Sequence, residues 1–140
     1  METIAVFGPF NQAMQAALQN SLSAMRFHLV FSPEIDQALL EQADYVILRT
    51  LRLDAPEIAH LNRCKLIQRW GAGFDTVDIA AAGKRDIPVA VTAGMNATPV
   101  SEMALALMLA VYRNVVPMTL DAMDGTWSRE SYKILDRKSV

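Results

Sequence analysis

Through residues 3–92, short apolar runs alternate with stretches patterned for helices, and this alternation constrains the fold more than any other property of the chain. Residues 3–7 (TIAVF), 27–31 (FHLVF), 44–49 (DYVILR), 66–70 (LIQRW) and 87–92 (IPVAVT) read as five strands. Between them lie four helical stretches. The first runs from Asn11, a side chain suited to capping, to residue 24; the second opens at Ser32-Pro33; the others cover 55–62 and 78–84. Strands separated by helices cannot pair as hairpins, so they pair in parallel through right-handed crossovers. Five such units imply an α/β fold, a flavodoxin-like, doubly wound parallel five-stranded sheet.

The pattern changes after Gly94. Thr98 reads as an N-cap with Pro99 at the first helical position. The helix that follows, ending near Asn114, carries Leu105, Leu107, Met108, Leu109 and Val111, which together face nearly every direction. A helix apolar all round requires cover on several sides. A shorter helix ends at Gly125 and Trp127, and residues 131–140 (SYKILDRKSV) carry the weak pattern of a further strand. The expected division is a flavodoxin-like domain over 1–97 and a helical segment with its tail over 98–140.

Composition excludes several classes. The chain is 52% hydrophobic and 20% charged, which suits a folded domain and argues against disorder. Thirteen basic and fifteen acidic residues give a net charge of −2 without a basic cluster, so no nucleic-acid partner is expected. Cys64 is the single cysteine, so no intrachain disulfide forms; a reducing, cytoplasmic setting is expected. No basic flank precedes the first apolar run, and the longest apolar run, 103–112, falls short of the ~20 residues that cross a bilayer. No membrane partner is expected.

The candidate chemistry lies after the fourth strand. Gly71 and Gly73 permit close backbone approach, and the amides of Ala72, Gly73 and Phe74 form a potential cradle for a small anion such as a carboxylate. The residues alone leave this open beside the simpler reading, a tight strand-to-helix turn. GAGFDT is not a dinucleotide fingerprint: the third glycine is replaced by Thr76, and the next strand ends at Val91-Thr92 without an acidic residue. Arg49, Arg52 and Arg69 sit at strand ends, where each either pairs with a substrate carboxylate or is simply solvated. His28, His60 and Cys64 read as structural, and Glu102 as a favourable charge in the first turn of the long helix. A phospho-acceptor reading fails, because Gly8-Pro9-Phe10 and Arg49-Thr50 stand where acidic residues are needed.

Residues 66–113, with GAGFDTVDIAAAGKRDIPV, the turn through Gly94 and Asn96, and VSEMALALMLAVYRN, resemble the D-isomer-specific 2-hydroxyacid dehydrogenases. YVILRTLRLDAPEI resembles the family's third strand and the loop after it. DGTWSRESYKILDRKSV resembles the lead into its cofactor domain. The resemblance implies that the backbone of Ala72 and Gly73 binds the carboxylate of a small 2-hydroxy or 2-keto acid, with Leu51 and Arg52 facing it. It implies NAD(P) for the full-length enzyme and none for these residues alone. The family's nucleotide loop and its catalytic arginine, carboxylate and histidine have no counterpart in this sequence, so no catalytic residue is assigned. The expected reading is an N-terminal, truncated portion of such an oxidoreductase, inactive by itself. The alternatives are a non-catalytic module that dimerises or binds a small carboxylate, and a split enzyme completed by a partner chain. In the family the long helix packs between domains and supports dimerisation, which implies a homodimer through residues 98–127.

Overall fold

Side chains of the first strand alternate between two cores in the computed structural model, which describes residues 1–128, 130 and 132. In β1 (Glu2–Phe7), Ala5 and Phe7 enter one cluster, while Ile4 and Val6 enter another. This period of two marks a central strand with both faces covered. Four further strands follow: β2 (Phe27–Ser32), β3 (Tyr45–Leu48), β4 (Leu66–Arg69) and β5 (Val89–Ala90). All pair in parallel, in the order β2-β1-β3-β4-β5. This is the five-stranded doubly wound sheet expected from the alternation.

The helices between the strands divide by face. α1 (Gln12–Ser21) places Met14 and Leu18 against Ile4, Val6 and Phe10. α2 (Gln37–Gln42), α3 (Ala55–Ala59) and α4 (Ile79–Gly83) bring Leu40, Ile58 and Ala82 onto Val46, Leu48 and Ile67 on the opposite face. Each of the buried leucine, isoleucine and valine side chains contributes roughly 1.5–3 kcal/mol by leaving water, and the Ala82 methyl less.

Several boundaries differ from expectation. α1 starts where Asn11 predicts, with Asn11 Oδ1 accepting from the Met14 amide at 2.9 Å. α2 does not open at Ser32-Pro33. The Ser32 hydroxyl donates to the Glu34 carbonyl at 2.7 Å, forming a local turn, and Asp36 caps the helix by accepting from the Leu39 amide at 3.1 Å. β5 pairs over two residues only. Pro88 has no N–H to donate, and the Thr92 amide leaves the ladder for the Gly71 carbonyl at 2.9 Å.

The chain divides into two compact units, Met1–Met95 and Asn96–Val140. In the second, α5 (Ala97–Tyr112) is followed by α6 (Val115–Asp124), bent from it by 60°. Asn96, not Thr98, occupies the N-cap position. Pro99 still lies in the first turn, where a missing N–H costs no intrahelical bond. Glu102 therefore falls in the second turn, beyond the short reach of the helix dipole. Asn114 and Gly125 flank α6 in left-handed conformations. The strand expected over 131–140 lies outside the described residues, apart from Tyr132, whose hydroxyl donates to the Asp121 carboxylate. Among the described residues no single helix is long and apolar enough to cross a membrane; only the bent pair α5 and α6 together reaches that length and composition.

One buried acid fastens the strand starts. Asp44, 3% exposed, accepts from the Thr3 amide at 2.8 Å and from Arg63 Nε and Nη2 at 2.8–3.0 Å. Its own amide donates to the Thr3 carbonyl, and its carbonyl accepts from the Lys65 amide. The Thr3 hydrogen bond, and then Arg63, hold its carboxyl below the ordinary 3.8. A depressed folded value means stability present above the ordinary value and lost as pH falls through the depressed one. Replacing Asp44 by alanine is expected to cost about 1–3 kcal/mol in urea unfolding at neutral pH. The variant should also lose the part of the acid destabilisation that wild type shows below pH 3.8.

Candidate functional site

The strand order reverses between β1 and β3, and in open parallel sheets ligands bind beyond the carboxyl ends of strands at such a reversal. Here that crevice is filled from within. Arg49 follows β3, and its Nη1 donates to the Pro9 carbonyl and lies 3.3 Å from Met14 Sδ. Its guanidinium carbon sits 5.7 Å from the centre of the Phe10 ring, which meets Trp70 edge to face at 5.3 Å. The packing is close enough that a Cβ on Gly8 would stand 2.1 Å from the Arg49 carbonyl oxygen. Half-buried Arg49 is thus a structural plug, held by Pro9, Met14 and Phe10.

The free backbone donors lie one strand further along. β4 ends at Arg69 and runs into Trp70-Gly71-Ala72-Gly73. Among the described residues nothing accepts from the amides of Ala72 and Gly73. Ala72 is exposed and Gly73 half-buried. The Gly71 carbonyl is held by the Thr92 amide, and the segment after the turn is pinned by a parallel bridge between Leu53 and Val77. Around that bridge the Leu53 amide donates to the Thr76 carbonyl at 2.8 Å, and the Asp78 amide to the Leu53 carbonyl at 3.0 Å. Two buried side-chain atoms among the described residues have no hydrogen-bond partner, Arg69 Nε and Thr76 Oγ1. Both belong to the segment that carries the turn. Buried polar atoms are normally satisfied, so such a pair marks a place where the structure is not optimised for stability alone.

Arg49 and Arg69 do not converge. The β3–β4 register sets Leu48 beside Arg69, so Arg69 shares the face of Val46, Leu48 and Ile67, whereas Arg49 packs with Phe10 and α1 on the other. The Arg69 guanidinium lies against Gly71, where a Cβ would stand 1.4 Å from Nη1, and Nη1 donates to the Trp70 carbonyl at 2.9 Å. The loop after β3 turns sharply at Thr50. This β-branched residue takes a φ of 60°, and the Leu51 amide closes onto the Arg49 carbonyl at 2.8 Å. Leu51 is half-buried against the main core, and Arg52 is exposed and paired with Asp54 at 3.1 Å. That hydrogen-bonded pairing raises the Arg52 pKa above its ordinary value.

The remaining candidates are structural. His28 is exposed on β2. His60 Nδ1 lies 3.2 Å from Glu41, a carboxylate partner nineteen positions away (60 minus 41) that sequence proximity does not reveal. Cys64 is half-buried, and burial raises its thiol pKa. Among the described residues no cluster of His, Cys, Asp and Glu suits a metal. A dinucleotide does not fit the turn either. The next helix, α4, begins only at Ile79, and Asp78 already occupies its N-terminus by accepting from the Ala81 amide at 2.9 Å, so an anionic pyrophosphate would meet a carboxylate.

The second unit presents apolar surface. Met103, Leu105, Leu107, Met108 and Leu109 of α5 are each more than half exposed. An open groove of about 640 Å³ runs past Val115, Met118, Met123 and Trp127.

Residues 4–134 match the family model described as D-isomer specific 2-hydroxyacid dehydrogenase, catalytic domain. The chain is 29% identical over 96 residues to the hydroxypyruvate reductase of Thermotoga maritima, covering 68% of this chain and 31% of that enzyme. A cofactor (NAD+)-bound 3-phosphoglycerate dehydrogenase of Entamoeba histolytica superposes with a TM-score of 0.70 at 27% identity, over 80% of this chain and 39% of that one. The NADPH-dependent glyoxylate/hydroxypyruvate reductase of Sinorhizobium meliloti shares the fold, with a TM-score of 0.76 at 24% identity, over 97% of this chain and 42% of that one. The chain thus spans less than half the length of each of these relatives.

Gly8 tests how tightly the plugged crevice is built. Gly8→Ala forces a Cβ into backbone at a φ of 117°, so a loss on the order of 3 kcal/mol is expected in urea unfolding.

Proposed function

We propose, on the premise that this chain belongs to the D-isomer specific 2-hydroxyacid dehydrogenase family, that residues 1–95 hold the carboxylate of a small 2-hydroxy or 2-keto acid. The observation that carries this reading is the pair of free amides, Ala72 and Gly73, at the carboxyl end of β4. Such amides bind an anion without carrying a formal charge, and so they distinguish a carboxylate from a neutral end of the same molecule. Leu51 supplies a half-buried apolar wall, and Arg52, exposed on the same loop, reaches the acid in this reading by exchanging its Asp54 partner for the substrate carboxylate. We place the protein in a reducing cytoplasm, on the ground that its single cysteine, Cys64, can form no intrachain disulfide.

A nicotinamide coenzyme supplies the hydride in this reading of the full-length enzyme. The relatives include an NAD+-bound and an NADPH-dependent protein, and the proposal chooses neither. Hydride transfer needs a bound nicotinamide and a positioned proton donor. The described residues suit neither role, so the 140 residues alone are assigned substrate binding without turnover. The purified chain is expected to show no NADH-linked reduction of glyoxylate or pyruvate and no quenching of Trp70 and Trp127 by NADH. Saturable NADH binding would overturn this assignment. Titration with oxamate, an unreactive 2-keto acid isostere, is expected to move the amide resonances of Ala72 and Gly73 along one saturating curve. If those two resonances stay fixed, the carboxylate cradle is wrong.

A second reading rests on the exposed apolar side chains of α5 and α6: the unit beginning at Asn96 assembles two copies of the chain through residues 98–127. Burying ~600 Å² of such surface yields on the order of 15 kcal/mol before association costs of several kcal/mol or more. Light scattering at micromolar concentration is expected to give a dimer mass, and a monomer mass would count against the interface. Leu105→Glu or Leu109→Glu is expected to aggregate or unfold, not to yield a well-behaved monomer.

A further inference from the structure

We infer that the main-chain N–H of Thr50 is a third donor to the substrate acid, and that Arg69 is the positioning residue that frees it; the inference rests on the reading of Ala72 and Gly73 as the carboxylate cradle. The argument starts from how the β3–β4 ladder ends. The Trp70 amide donates to the Leu48 carbonyl at 2.8 Å. In a parallel ladder the residue whose amide makes that bond also accepts, through its carbonyl, from the amide two positions further along the neighbouring strand. The next rung would therefore join the Thr50 amide to the Trp70 carbonyl. That carbonyl instead receives Arg69 Nη1 at 2.9 Å. Among the described residues nothing accepts from the Thr50 amide.

The direction of the freed amide follows from its own peptide plane. The Arg49 carbonyl oxygen points at Gly8, the residue after β1, so close that a Cβ there would stand 2.1 Å from it. No peptide bond among the described residues is cis. In a trans peptide the N–H is antiparallel to the C=O, so the Thr50 N–H points away from β1, to the side of β4 and its glycine turn. The left-handed φ of Thr50, 60°, is unfavourable for a β-branched residue, and the Leu51 amide locks it by bonding back to Arg49. The Leu53–Val77 bridge then fixes this loop to the segment after the glycine turn. Three donors from two adjacent strand ends are held on one scaffold.

Arg69 is suited to the positioning role by its face. Its stem rises from β4 beside Leu48, and its guanidinium fits against Gly71 because that residue has no Cβ. From there Nη1 reaches the carbonyl of the next residue and removes the acceptor that would otherwise close the ladder.

The oxamate titration separates the inference from the reading beneath it. In the wild-type chain the Thr50 amide resonance is expected to move with Ala72 and Gly73 on a single curve. Movement of Ala72 and Gly73 with Thr50 unmoved would leave the cradle standing and overturn the third donor. Immobility of all three would overturn both. Arg69→Met should let the Thr50–Trp70 rung form: hydrogen exchange at the Thr50 amide slows by about tenfold or more, the worth of one hydrogen bond. The Thr50 response to oxamate should vanish while those of Ala72 and Gly73 persist. Arg69→Lys, which keeps a donor for the carbonyl, should restore the Thr50 response. Unchanged exchange and response at Thr50 in Arg69→Met would overturn the role given to Arg69. If that variant does not fold, the wild-type curve still decides whether Thr50 is a donor.

Discussion

A single buried carboxylate sets the alignment on which the rest of the sheet depends. Asp44 takes hydrogen bonds from the β1 backbone and from Arg63, and its own main chain links the starts of β1 and β4. In a parallel sheet with both faces covered, a shift of one residue would send each side chain to the wrong core. Thr3 and Asp44 exchange bonds through both backbone and side chain, which admits one register only. From that alignment follow the pairing of Leu48 with Arg69 and the meeting of the ends of β3 and β4. The charge is affordable inside the protein because each oxygen has a partner and Arg63 keeps one side in water.

At the opposite edge, the chemistry is decided by which backbone groups remain unpaired. Gly8 lets the Arg49 carbonyl approach β1, and Arg49 itself fills the crevice where a doubly wound sheet ordinarily receives a ligand. The open donors are consequently displaced to the β3–β4 boundary. There the turn around Gly71–Gly73 leaves two amides free, and a guanidinium takes the carbonyl that would have extended the ladder. The proposed site is therefore one of main-chain groups, with the Arg69 side chain occupying a carbonyl that would otherwise pair.

Much of this architecture was legible in the sequence because it rests on local rules. Alternating apolar runs gave five parallel strands, and Asn11 was visible as a cap because its side chain bonds the amide three positions on. Where two local rules competed, the sequence misled. Ser32-Pro33 looks like a helix start, but the Ser32 hydroxyl reached Glu34 and left the cap to Asp36. Thr98-Pro99 and Asn96-Ala97 both satisfy a first turn, and nothing in the residues ranks them. Within the site, Gly71 and Gly73 were conspicuous, but the roles of the arginines were not. Three arginines at strand ends look equivalent in sequence. The pleat sends Arg49 and Arg69 to opposite faces, and Asp54 engages Arg52. The Thr50 conformation had no sequence signal, since glycine or asparagine is the usual occupant of that backbone region and threonine is not.

The two margins of the sheet are unequal, and this gives the domain a direction for unwanted association. β5 offers two residues of unpaired edge, too short to template another strand, and Pro88 immediately before it removes a further donor. β2 offers six, Phe27–Ser32, with the sequence FHLVFS and no acidic or lysine gatekeeper within it. Strand capture during folding, or amyloid-like growth from a partly opened domain, therefore has one available front. That front is on the margin away from β4, so polymerisation could proceed while the glycine turn after β4 stayed accessible.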